Sequence, residues 1–154
     1  MLVYVDTSVF GGVFDPQFEE ASRAFFHRVR EGRFEVMVSA LVVDELEWAP
    51  TRVRSLFDEL NPLITRVATA DAMYDLRSAY LDAGVVSPKW AADALHVAVA
   101  TVSGCRAIIS WNFRHIVNFR RIPLYNGVNQ MKGYGPIAIH SPPEVIFDDE
   151  EEAF

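Results

Sequence analysis

The sequence predicts an α/β domain in which helices cover both faces of one mainly parallel sheet, an α/β/α arrangement of three layers. Three observations support this. Short runs of apolar and β-favouring residues alternate with longer segments of helical periodicity. Glycine or proline marks most of the joins between them. Strands separated by helices require right-handed crossovers, and hence a parallel sheet buried on both sides.

The first strand spans 2–5 and ends on Asp6-Thr7-Ser8. Gly11-Gly12 reads as a break, after which Pro16 opens a helix. Its apolar positions Phe18, Ala21, Phe25, Phe26 and Val29 keep a 3.6-residue period until Gly32 stops it. A second strand covers 34–38. Ser39 is placed to cap a helix over 40–49, which Pro50 terminates. A short helix over 51–60, a third strand over 63–67 and an amphipathic helix over 70–83, closed by Gly84, follow. Ser87-Pro88 is a start signal for a helix over 89–103, ended by Gly104. The fourth strand is 107–110. Beyond it, 123–126 and 136–140 read as a looser extension with one or two short strands. No repeat or linker interrupts the pattern, so one domain over 1–147 and an acidic tail over 148–154 are expected.

The chain has 154 residues, 51% hydrophobic and 23% charged, which suits a self-sufficient core and excludes disorder and collagen. Its single cysteine, Cys105, excludes a disulfide scaffold within the chain and reads as a core filler in a reducing compartment. The net charge of −7 argues at first against a nucleic-acid partner. Five of those charges, however, lie in Asp148-Asp149-Glu150-Glu151-Glu152, and without them the net charge is −2. A run of like charges is most often a solvated end. The start of the chain shows no basic leader, and no apolar run reaches the roughly 18 residues of a membrane span, so a cytoplasmic protein is expected.

In open α/β sheets the working residues lie at the carboxyl ends of the strands, here Asp6-Thr7-Ser8 and Ser110-Trp111-Asn112. Asp6 alone suits a turn or a cap as well as a site. Glu45 is more informative, because on a helix it shares a face with Leu41, Val42 and Trp48 and so points where apolar residues point. Asp93 is the strongest candidate: it lies in Trp90-Ala91-Ala92-Asp93-Ala94-Leu95-His96-Val97, a segment apolar nearly all round. His96, one turn on, reads as a core or surface histidine. Three carboxylates at one sheet edge would repel one another, and a divalent cation relieves that. Hard oxygen ligands without a cysteine or histidine cluster favour Mg2+ or Mn2+, and the fitting chemistry is metal-assisted phosphodiester hydrolysis.

Four segments, Tyr4-Val5-Asp6-Thr7-Ser8-Val9-Phe10, Val43-Asp44-Glu45-Leu46, Ala92-Asp93-Ala94-Leu95-His96-Val97-Ala98-Val99-Ala100 and Ile108-Ile109-Ser110-Trp111-Asn112-Phe113, resemble in order and spacing the signature segments of PIN-domain ribonucleases. The likeness is greatest to the VapC-like toxins of prokaryotic toxin–antitoxin pairs. It implies a PIN-like fold, a Mg2+- or Mn2+-dependent endoribonuclease, a homodimer and a small inhibiting antitoxin. The family's acidic quartet carries over to Asp6, Glu45 and Asp93, with Asn112 at the fourth place, often Asp. Asn112 can offer a carbonyl oxygen to a water but removes one negative charge, which weakens a second metal position.

For an RNA substrate, Thr7 or Ser8 would orient a water. Arg114 and His115, with Arg120 and Arg121 beyond them, would position a phosphate backbone, and Trp111 or Phe113 would be available for base stacking. Two other readings stay open. A catalytically weakened module could bind RNA or a partner protein with the same fold. A phosphatase with Asp6 as nucleophile is disfavoured, because Thr7-Ser8-Val9 lacks the second acid such sites use.

Overall fold

The computed structural model describes residues 1–146, so the expected acidic tail lies outside the described residues. Its elements are β1 (Leu2–Val5), α1 (Thr7–Gly12), α2 (Glu19–Arg30), β2 (Glu35–Ser39), α3 (Ala40–Leu46), α4 (Thr51–Leu60), β3 (Ile64–Val67), α5 (Asp71–Asp82), α6 (Ala91–Val102), β4 (Ala107–Ile109), α7 (Ile122–Met131) and β5 (Ala138–His140). Single 3-10 turns occupy Asn61–Leu63, Pro88–Trp90 and Pro142–Glu144. The five strands form one all-parallel sheet in the order β3-β2-β1-β4-β5.

This order sets the layers. The chain leaves β1 toward β2 and β3, then crosses back to β4 and β5, so right-handed crossovers put α1 to α4 on one face and α5 to α7 on the other. The contacts agree: α1 packs on α2, α3 and α4, while α5 packs on α6 and α7. The first face is held by a phenylalanine cluster, in which Phe10 meets Phe26 at 5.1 Å and Phe57 at 5.4 Å, and Phe25 meets Phe34 at 5.2 Å between ring centres. The second is held by α6, whose residues from Ala94 to Thr101 are all buried, and by Tyr80 set edge-on to Tyr125. Such aromatic pairs add about 0.5–1.5 kcal/mol beyond burial of their area.

Several expectations are corrected. Gly11-Gly12 is not a break but the end of α1, and Gly12 is required there by close approach: a Cβ would lie 2.6 Å from Ser22 Oγ and 2.7 Å from Trp111 Nε1. The segment 123–126 is helix, not strand. Pro123 sits in the first turn of α7, where its missing N–H costs nothing, and Tyr125, Val128 and Asn129 are buried at helical spacing. Helix α3 stops at Leu46, so Trp48 lies beyond it and is 90% exposed rather than core-facing. Neither Ser39 nor Ser87 makes a side-chain cap bond. The expected core role of Cys105 is met: its Sγ lies 3.7 Å from Met37 Sδ, and burial pushes the thiol up to about 11. No helix among the described residues is long and apolar enough to cross a membrane.

Candidate active site

The direction of travel across the sheet reverses between β1 and β4. A crevice opens at the carboxyl ends of strands at such a point. Asp6 follows β1 and Ser110 follows β4, and their backbones are tied to the neighbouring strands through Asp6 N–H to Ile109 O (3.3 Å) and Ser110 N–H to His140 O (3.0 Å). The Asp6 carboxylate is 4% exposed, and both its oxygens accept hydroxyl bonds at 2.6 Å, Oδ1 from Ser8 and Oδ2 from Ser110. Ser8 Oγ in turn accepts the Trp111 backbone N–H, and Ser110 Oγ that of Asn112, both at 2.9 Å. Burial raises the Asp6 pKa. Nearby His96 and the two hydroxyls oppose that rise, and Glu45 adds to it. These influences place Asp6, Glu45 and His96 in one electrostatic group.

His96 joins the second carboxylate to the sheet. The ring is buried, with Nε2 2.7 Å from Glu45 Oε1 and Nδ1 2.7 Å from the Tyr4 hydroxyl, which also lies 2.7 Å from Ser39 Oγ. A proton on Nε2 satisfies every member: Ser39 donates to Tyr4, Tyr4 to Nδ1, and Nε2 to Glu45. Burial pushes the Tyr4 hydroxyl well above its ordinary range, which keeps it a donor. Glu45 itself is 40% exposed and reaches over the edge rather than pointing into the core.

The third carboxylate, Asp93, is held by His115, whose Nδ1 lies 2.9 Å from Oδ2. His115 is buried and stacked on Trp90 at 4.3 Å, so it acts on Asp93 rather than on the surface. The Asn112 side-chain oxygen accepts the His115 backbone N–H at 2.9 Å, which fixes the turn after β4. Hydrogen bonds thus run from Asp93 through His115, Asn112 and Ser110 to Asp6, and on through Ser8 to Trp111.

Among the described residues, no group of three or more His, Cys, Asp or Glu stands arranged to hold a metal ion. The oxygen donors suit Mg2+ or Mn2+ in kind. As they stand, both Asp6 oxygens and one oxygen each of Glu45 and Asp93 are turned to partners in the chain.

The rim also divides. Trp111 stacks on Phe18 at 4.3 Å and gives its indole N–H to Ser22, so it is a structural residue, whereas Phe113 is 49% exposed. The Arg114 guanidinium lies 5.5 Å over the Trp90 ring, while Arg121 is spent on the carbonyls of Val85 and Arg114. Thr7 Oγ1 is buried and has no hydrogen-bond partner among the described residues.

Ser110 lies at one of the two strand ends that the sequence points to, whereas the parts played by His96, Tyr4 and Ser39 are visible only in the structure. Tyr4 and Asp6 lie two apart on one strand face, and His96 one turn from Asp93 on a buried helix; these spacings were the available signals.

No curated protein matches the sequence. Among solved structures, the fold is similar to FitAcB from Neisseria gonorrhoeae, with a TM-score of 0.61 at 15% identity over 93% of this chain and 99% of that one. It is also similar to VapBC2 from Rickettsia felis, solved bound to a DNA fragment from their promoter, with a TM-score of 0.58 at 10% identity over 92% and 98%. Residues 3–117, which carry the whole hydrogen-bonded edge from Asp6 to His115, match the PIN domain. The chain belongs to the PIN-domain family.

Proposed function

We propose that this protein is a Mg2+- or Mn2+-dependent endoribonuclease, the toxin of a toxin–antitoxin pair, working in the cytoplasm as a homodimer restrained by an antitoxin protein. The observation that carries the reading is Asp6, a carboxylate withdrawn from water at the point where the sheet order reverses, with Glu45 near enough to raise its pKa further. A cation beside Asp6 would favour its charged form and offset the cost of burying it. Family membership and the fold likeness to FitAcB and VapBC2 support the same reading.

In this proposal Asp6, Glu45 and Asp93 hold the ion, which supplies Lewis acidity for phosphodiester hydrolysis. The chain's own residues fix the geometry. Ser8 and Ser110 orient Asp6; His96, braced by Tyr4, orients Glu45; His115 orients Asp93. Thr7 has a hydroxyl with a bond still to give and is suited to orient a water. Asn112 serves through the turn it fixes, and Arg114 and Phe113 offer a charge and an exposed ring to backbone and base.

The test is cleavage of an end-labelled single-stranded RNA by the full chain with Mn2+, with EDTA, and by Asp93→Asn with Mn2+. Cleavage by the parent alone, and only with metal, is expected. Equal cleavage by the variant, or cleavage in EDTA, overturns the assignment.

One observation favours a second reading, a PIN-fold module that binds RNA or a partner protein without cutting: the three carboxylates do not stand as a ready cage. Calorimetry separates the two, since no uptake of Mn2+ at millimolar concentration selects the module.

A further inference from the structure

The opposite end of the sheet carries a pocket of another character. The parallel register sets Val3, Ala107 and Ala138 in one row, and His140, two residues along β5, lies on the same face. Above this row is a cavity of about 630 Å³. Its apolar lining includes Val3, Phe34, Ala107, Ala138 and Val145, and three arginines stand around it: Arg28 of α2, Arg33 from the turn after α2, and Arg106 just before β4. Among the described residues, the one carboxylate in the lining, Glu144, is already engaged. It accepts from the backbone and hydroxyl of Ser141 and meets His140 Nδ1 at 2.9 Å. Burial opposes its ionisation, but these bonds outweigh it and hold its pKa below the ordinary value.

We infer that this pocket is the docking site of the chain's own segment 147–154, Phe147-Asp148-Asp149-Glu150-Glu151-Glu152-Ala153-Phe154. Three features support that occupant. The five consecutive acids are opposite in sign to the arginines around the pocket, of which Arg33 also lies 3.7 Å from Glu31 and Arg28 also bonds the Ala24 carbonyl. Val145 lines the pocket and Asp148 is only three positions further on, within about 10 Å of extended chain. The segment is also amphipathic in the way the pocket is, with Phe147 and Phe154 flanking the acids as the apolar floor lies within the arginines. The docked acids neutralise the basic end of the sheet, which leaves the carboxyl end as the surface offered to a polyanion.

Hydrogen exchange on the full chain, followed by mass spectrometry, tests this. In low salt the amides of 147–154 should exchange at least about tenfold more slowly than in an unstructured peptide, and the difference should fall in 1 M salt, where charges are screened beyond about 3 Å. Arg33→Gln with Arg106→Gln should remove the protection. Should that double variant fold poorly, the converse variant, with Asp148 and Asp149 changed to Asn and Glu150, Glu151 and Glu152 to Gln, reads the same contact from the other side as faster exchange around Arg106 and Ala138. Exchange of 147–154 at the unstructured rate in the parent overturns the inference. So does protection that ignores both salt and the arginines, or slowing of the Arg106 region by added RNA with no change in the tail.

Discussion

The two ends of one parallel sheet carry opposite chemistry. At the carboxyl end, Asp6, Glu45 and Asp93 are each clasped by hydroxyl or imidazole partners from other elements. At the amino end, Arg28, Arg33 and Arg106 surround an apolar-floored cavity. The difference follows from connectivity. The carboxyl end is where the strand order reverses, so crossovers diverge there and leave a crevice into which loop side chains fall. The amino end receives the turns that bring helices back to the sheet, and basic residues near those turns collect around it.

The largest expected effect is on cleavage. On the proposed function, with Asp6 holding the ion, Asp6→Asn should lower metal-dependent RNA cleavage by at least about a hundredfold, since even groups one step behind metal ligands cost 10–100-fold. Arg106→Gln, at the other end, should leave the rate within about twofold of the parent. Equal losses in both would erase the functional contrast between the ends.

Cys105, beside Arg106, gives the next effect. With its thiol near 11 against an ordinary 9.0, native protein should be alkylated about a hundredfold more slowly than unfolded chain at neutral pH. The sign for stability follows. The raised folded value makes this contribution complete below 9.0 and lost as pH climbs toward about 11, a decline that Cys105→Ala should lack. Denaturant titrations at pH 8, 9 and 10 measure it.

Packing under the carboxyl end can be broken with Gly12→Ala. The new methyl meets Ser22 Oγ and Trp111 Nε1 inside contact distance, and a loss of about 1–3 kcal/mol in a thermal or denaturant melt is expected. A neutral result would mean that the Trp111 brace behind Ser8 yields freely. The smallest effect concerns Asp6 without metal. Because burial raises its pKa above 3.8, its contribution to stability is present below the ordinary value and is lost as pH rises through the raised one. The melting temperature of the parent relative to Asp6→Asn should therefore fall as pH is raised from about 4, and added Mn2+ should restore it. A difference that stays flat with pH would show that Ser8 and Ser110 fully offset the burial.

Much of the fold was legible because periodicity and punctuation report directly on burial. The strand 2–5 and the helix 51–60 were read with the bounds observed. Residues 123–126 were misread because aromatic and β-favouring side chains beside a proline suit a strand locally, while the burial of Val128 and Asn129 one turn later selects helix. Ser39 and Ser87 sit where caps belong, but a hydroxyl takes the partner that tertiary packing offers, and for Ser39 that is Tyr4. Trp48 was placed on a helix face that ends before reaching it.

The sequence by itself determined the alternation of strands and helices, and hence the parallel sheet, and it singled out Asp6, Glu45, Asp93 and Asn112 as candidates. These rest on local pattern and on order along the chain. Only the tertiary structure decided which groups hold those acids. The bonds of Asp6 to Ser110, Glu45 to His96 and Asp93 to His115 span 104, 51 and 22 positions. A hydrogen bond depends on distance and angle in space, and a linear spacing carries neither until the strands have set their register.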